Sequence, residues 1–165
     1  STRADFDLVG ADYDARFRNL PAALDLMRRT WQGETVNGGR LTAWPGFDAG
    51  PPVLLGAWRN PRWIERAART CEGWIASGIH SQWDQLEAGM AIYRKAGGKR
   101  AVTANIYVDF SAKPDVPSPF DHATITLVGT AAHGRGVLDR LRQLGFDDAL
   151  VICPVEQLET LGTLL

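Results

Sequence analysis

Gly56-Ala57-Trp58-Arg59-Asn60, with Pro61 directly behind it, is the stretch whose residue types best suit binding chemistry. A phosphate or similar anion needs several backbone N–H groups converging at a helix start, where the macrodipole also favours negative charge. A residue without a side chain lets the anion approach the backbone closely. Gly56 supplies that access, Asn60 and Pro61 read as the cap and first residue of a helix, and Arg59 or Arg62 adds positive charge. The same residues also suit a plain strand-to-helix turn with an ordinary cap, and their types leave both readings open.

His80, in Ser77-Gly78-Ile79-His80, is the one candidate for acid–base work or a polar substrate contact; a surface histidine beside a helix cap explains it as well. Thr103 and Asn105 fall on one face of a strand by alternation. Thr130, His133 and Arg135 form a second helix start with some capacity for an anion, although a simple N-cap accounts for Thr130. No metal site is expected, because His80, His122 and His133 lack ligand spacing and the two cysteines lie far apart. Dinucleotide, Walker and GxSxG signatures are missing. Six tryptophans mostly occupy core positions, with Trp58 and Trp44 as the exceptions.

These candidates need elements to position them, and the spacing predicts alternating strands and helices. Pro52 to Leu55 is a short apolar run that reads as a strand buried on both faces. Ile64, Ala67, Ala68 and Cys71 share a helical face, Gly73 stops that helix, and Trp74 to Ala76 starts the next strand. So compact a βαβ unit implies a parallel sheet, with Gly56–Asn60 at the carboxyl end of a strand, where such folds bind ligands. Ser81 reads as the cap of a helix bearing Trp83, Leu86, Met90 and Tyr93. Residues 101–110 read as a strand, 111–121 as a proline-containing loop, and 124–128 as a short strand. A helix capped by Thr130 and ended by Gly145, a strand over 149–153 and a last helix opened by Pro154 complete the pattern. Upstream, a polar opening precedes a helical stripe from Phe17 to Trp31; Pro21 implies a kink there, or a restart capped by Asn19. Asn37-Gly38-Gly39 marks a tight hairpin in a long connection.

Length and composition set the frame. The 165 residues suit one domain, with 45% hydrophobic and 22% charged residues as in ordinary globular chains. A net charge of −1 gives no attraction to nucleic acid or to an acidic membrane, so neither is expected as a partner. No apolar run approaches the roughly 20 residues of a membrane span, and there is no signal-peptide pattern. Cys71 and Cys153 read as free buried thiols, which fits the cytoplasm. The chain opens on Ser1 rather than methionine, consistent with processing or truncation. Four principal β/α units are half of an eight-stranded barrel; a small open sheet satisfies the same pattern.

DLVGADYDARFRNLPAALDLMRRTWQGETV, PPVLLGAWRNPRWIERAARTCEGWIAS and VGTAAHGRGVLDRLRQLGFDDALVIC, in that order, resemble three stretches of the bacterial luciferase-like monooxygenases. That resemblance implies an α/β chain forming about half, the C-terminal part, of a (β/α)8 TIM barrel. It implies a flavoprotein or deazaflavin enzyme, an oxidoreductase using FMN or F420 to oxygenate a small organic substrate or exchange hydride with it. The cofactor phosphate would lie at Gly56, Ala57, Trp58, Arg59 and Asn60. The family's catalytic histidine and its ring-contacting residues belong to a part of the barrel without counterpart here, so no catalytic residue is carried over and His80 stays the sole candidate. The expected partner is a second copy, as a homo-oligomer, or the missing N-terminal half of the barrel. The alternatives are a non-catalytic half-barrel module that self-associates and a small α/β phosphate-binding protein.

Overall fold

The computed structural model describes residues 2–42, 45–46, 49–111 and 123–164, in two compact units, 1–51 and 52–165. Trp44, His122 and most of the proline-containing loop lie outside the described residues.

The first unit is helical. The polar opening forms a helix, α1 (Arg3–Leu8), started by a reciprocal cap between Thr2 and Asp5. Composition hid it, because one short turn needs only a good cap and no apolar stripe. The second helix, α2 (Arg16–Trp31), runs through Pro21 without restarting at Asn19. Asn19 is already helical, its N–H donating to the Ala15 carbonyl at 2.9 Å. Pro21 therefore removes one hydrogen bond near the start of the helix and leaves the others in place. The hairpin expected at Asn37-Gly38 is present: Val36 and Gly39 exchange both backbone bonds, at 2.8 and 2.9 Å, around residues with φ of 50° and 80°.

The second unit is a wholly parallel sheet alternating with helices. Its elements are β1 (Leu54–Gly56), α3 (Pro61–Thr70), β2 (Gly73–Ser77), α4 (Trp83–Lys95), β3 (Arg100–Asp109), β4 (Thr126–Val128), α5 (Ala131–Leu144), β5 (Asp148–Ile152) and α6 (Leu158–Gly162). The main path is β1-β2-β3-β5. Tyr107 pairs with Thr126 on one side and Ile152 on the other, so β4 continues along the edge of β3 that β2 leaves. Every strand is parallel because a helix or long connection separates each from the next. This is the parallel α/β arrangement that the alternation implied.

Register tells the two faces apart. Trp74 is fully buried, packed on Tyr93 at 5.5 Å and Phe146 at 5.6 Å, with Gly89 of α4 against its ring. A side chain at Gly89 would place its Cβ 2.8 Å from that ring, so the helix sits this close only because glycine is there. Trp74 pairs with Ala101, and Thr103, two residues on, pairs with Ala149. Those residues share the helix-covered face, and Leu150 and Ile152 therefore lie on the other.

One cap is corrected. The N-cap of α4 is Gln82 rather than Ser81, and the Gln82 N–H donates to the Gln85 side chain at 3.0 Å. Ser81 lies one residue too early and turns inward; it is fully buried, and its hydroxyl has no partner among the described residues.

Tyr93 supplies a stability test. Its hydroxyl donates to the Arg100 carbonyl at 2.6 Å, and burial pushes its ionisation above the ordinary phenol range, against the opposing pull of Arg94. The folded state thus favours the neutral ring. Its contribution is intact below the unfolded phenol value of about 10 and is lost as pH rises through the higher folded value. Urea unfolding at pH 8 and pH 11 should show a smaller alkaline loss for Tyr93→Phe than for the native chain. An equal loss in both would remove Tyr93 from the effect.

Candidate functional site

The Gly56–Asn60 turn leaves the sheet at the carboxyl end of β1. Its first step is anchored from both sides. The Ala57 N–H donates to the Ile75 carbonyl at 3.0 Å, extending the β1–β2 ladder by one bond. The Ala57 carbonyl accepts the buried Trp74 indole N–H at 2.7 Å. Ala57 is accordingly buried, and the chain emerges at Trp58, which is 52% exposed.

Beyond this anchor the backbone is open. Among the described residues, the N–H groups of Trp58, Arg59 and Asn60 have no intramolecular partner. The α3 start is closed by comparison: the Asn60 side chain accepts from the Arg62 N–H at 3.1 Å, and the Asn60 carbonyl accepts from Trp63 and Ile64 at 3.0 and 3.1 Å. Any anion here would therefore be met by the turn amides rather than by the first turn of the helix. A Cβ built on Gly56 meets no atom within 4 Å, so the space beside it is free. Arg59 and Arg62 are exposed and make no ion pair among the described residues.

The tertiary structure brings His80 to this turn. The loop after β2 folds back so that the rings of Trp58 and His80 stack, centroids 4.2 Å apart and planes 27° from parallel. Buried Ser77 shapes that loop by accepting the His80 N–H at 3.3 Å, and the Gly78 N–H donates to the Ala104 carbonyl at 2.7 Å. Gly78 rests on a bulge in β3, where Thr103 pairs with Ala149 and Ile106 with Val151, and Asn105 takes φ of 60°. That bulge overturns the expectation that Thr103 and Asn105 share a face: Thr103 is fully buried and Asn105 exposed.

The second helix start has committed its groups. The Thr130 hydroxyl accepts the His133 N–H at 3.2 Å as an ordinary cap, and Arg135 donates to the Thr163 carbonyl at 2.7 Å. Cys71 and Cys153 are free, as read, but only partly buried. Desolvation pushes the Cys153 thiol up, with Glu156 adding to it, which makes it a poor nucleophile. No group of three potential metal ligands occurs among the described residues, and no helix there is long and apolar enough to cross a membrane. A cavity of about 300 Å³ lined by Ala68, Cys71, Glu72, Gly97 and Lys99 lies at the amino-terminal ends of β2 and β3. Ligands of parallel sheets bind at the opposite end, where the turn and His80 are.

Two structural features beside the turn had no clear sequence signal. Trp74 reads as core, and nothing in its neighbours announces that its N–H holds a turn seventeen residues earlier. The bulge had a weak signal: Asn105, within a β-branched run, is a residue type that tolerates the left-handed region.

Comparison with known proteins gives a family and a fold. Residues 1–116 match the family described as luciferase-like monooxygenase. No curated protein matches the chain. Among solved structures, that of the monooxygenase RslO1 from Streptomyces bottropensis is similar at 20% identity with a TM-score of 0.68. The match covers 94% of this chain and 61% of that one, so this chain spans under two thirds of that structure. At that identity the likeness shows the fold, and at 94% of the chain it extends past the family match.

Proposed function

The chain belongs to the luciferase-like monooxygenase family, and from that premise we propose that it forms the C-terminal part of a flavin- or F420-dependent oxidoreductase acting on a small organic substrate. One observation carries the reading. The loops after β1 and β2, neighbouring strands of a parallel sheet, meet through the Trp58–His80 stack beside three uncommitted backbone N–H groups. A plain connecting turn needs neither the exposed aromatic pair nor the open amides.

The residues present fit a phosphate-bearing cofactor. The amides of Trp58, Arg59 and Asn60 would hold the phosphate, Gly56 would give it room, and Arg59 would add charge. When bound, FMN or F420 supplies the redox chemistry, oxygen insertion or hydride transfer respectively. The protein's part is orientation and electrostatics. Trp58 and His80 present a flat ring surface at the rim, and the His80 imidazole is the group placed to give or take a proton there. Ala57, tied to Ile75 and Trp74, keeps the turn from shifting when charge arrives. The free thiols fit a cytoplasmic setting.

Titration of the purified chain with FMN and with F420, followed by absorbance and fluorescence, tests the reading. One of the two should bind. Arg59→Ala should weaken it about three- to tenfold, less so at high salt, because an exposed charge is screened. Failure of both cofactors to bind would rule out a cofactor-holding role for this chain. The alternative, a non-catalytic half-barrel that self-associates, is favoured by the exposed Leu150 and Ile152 on β5.

A further inference from the structure

We propose that Asp109 is a specificity-determining residue of the carboxyl-end rim, a carboxylate that takes the protonated amine of the small organic substrate. The inference rests on the reading of this rim as a substrate site and adds the substrate's chemical class.

Asp109 is the last residue of β3, at the carboxyl end of the strand. Its side chain faces away from the helices. The ring of Phe110, the next residue, packs on α5, where a Cβ added to Gly134 would come within 3.3 Å of it. Ile106 and Val108 alternate with Phe110 and are fully buried on that side. Tyr107 and Asp109 therefore share the opposite face, where Tyr107 pairs with Ile152. In parallel β/α folds, side chains at the carboxyl ends of the strands are the ones that meet ligands.

A second segment of the chain holds this carboxylate. Gln157, in the short 3-10 turn Val155–Gln157 after β5, gives both ends of its amide to the corner. Its Oε1 accepts the Phe110 N–H at 2.7 Å, and its Nε2 donates to Asp109 Oδ1 at 3.2 Å and to Ser111 Oγ at 3.4 Å. Ser111 donates to the same Oδ1 from its N–H at 2.9 Å and from its hydroxyl at 2.8 Å. A turn at a strand end needs only the Ser111 N–H. The tie to Gln157, 48 residues along the chain, adds orientation, so the carboxylate is aimed before any ligand arrives. An ionised carboxylate only accepts hydrogen bonds, and a cationic donor gains charge assistance that a neutral one lacks. A substrate bearing its own carboxylate would be repelled.

Butylammonium and butyrate, similar in size and opposite in charge, are the probes for nuclear magnetic resonance titration of the 165-residue chain. The Gln157 side-chain amide and the Phe110 N–H should shift saturably with butylammonium and stay in place with butyrate. Asp109→Asn keeps an oxygen for Ser111 and Gln157 and removes the charge. Its melting temperature should match that of the native chain, while its butylammonium affinity falls about tenfold. Should that variant fail to fold, the contrast between the two probes on the native chain decides alone. Equal shifts with butyrate, shifts that never saturate, or an Asn variant that binds butylammonium as the native chain does would overturn the proposal. Titration of the same samples with FMN and F420 keeps the two readings apart. Cofactor binding without amine binding removes only the role of Asp109, whereas amine binding without cofactor binding removes only the cofactor-holding role.

Discussion

Trp74→Phe is expected to destabilise the second unit by about 2–5 kcal/mol and to loosen the Gly56–Asn60 turn without altering any residue in it. The indole is fully buried and donates to the Ala57 carbonyl at 2.7 Å. Phenylalanine keeps an aromatic ring between α3 and α4 but cannot donate. A buried carbonyl left without its partner costs about 1–3 kcal/mol. The missing indole volume leaves a void beside Gly89, Tyr93 and Phe146, which adds a further contribution of about 1–2 kcal/mol. Urea unfolding measures the first effect. Hydrogen exchange of the Ala57 amide, which bonds to Ile75, measures the second. A loss below about 1 kcal/mol with an equally protected Ala57 would mean that the indole bond does not hold the turn. Cofactor affinity should fall with turn order, so the same variant links core packing to function.

Gly56→Val should do the reverse: leave stability within about 0.5 kcal/mol and weaken binding of FMN or F420 at least tenfold. No protein atom lies within 4 Å of a Cβ at this position, and valine suits the end of a strand. The new side chain would occupy only the space through which a phosphate reaches the open amides. Gly56→Ala should fall between the two. Melting curves and fluorescence titration on the same samples separate the outcomes. Undiminished affinity in Gly56→Val would place the phosphate elsewhere, whereas lost affinity with a lowered melting temperature would make the effect structural.

Much of the second unit was legible in the chain. Asn60-Pro61 behaves as cap and first helical residue, Thr130 caps α5, and Gly145 ends it with φ of 96°. These are local events, decided by which nearby side chain can satisfy a free N–H or which residue tolerates a left-handed backbone. Apolar runs of strand length between helices were enough to imply parallel pairing, because a strand buried on both faces cannot alternate. Where local signals compete, the reading slipped by a residue or by an element. Ser81 and Gln82 are both able to cap α4, and only packing decided that Ser81 goes inside. Pro21 breaks helices on average, yet near the start of α2 it removes a single bond and the helix absorbs it.

The candidate site divides along the same line. Amino-acid types placed a glycine, an arginine and a capped helix start together in Gly56–Asn60, since those positions are adjacent in the chain. They also set the strand's end there and hence the rim on which the turn lies. That His80 stacks on Trp58, that Trp74 holds Ala57, and that a bulge at Asn105 carries the loop after β2 were decided by the tertiary structure alone. Each joins residues from different β/α units, and sequence spacing records no distance between side chains until the sheet register brings them side by side.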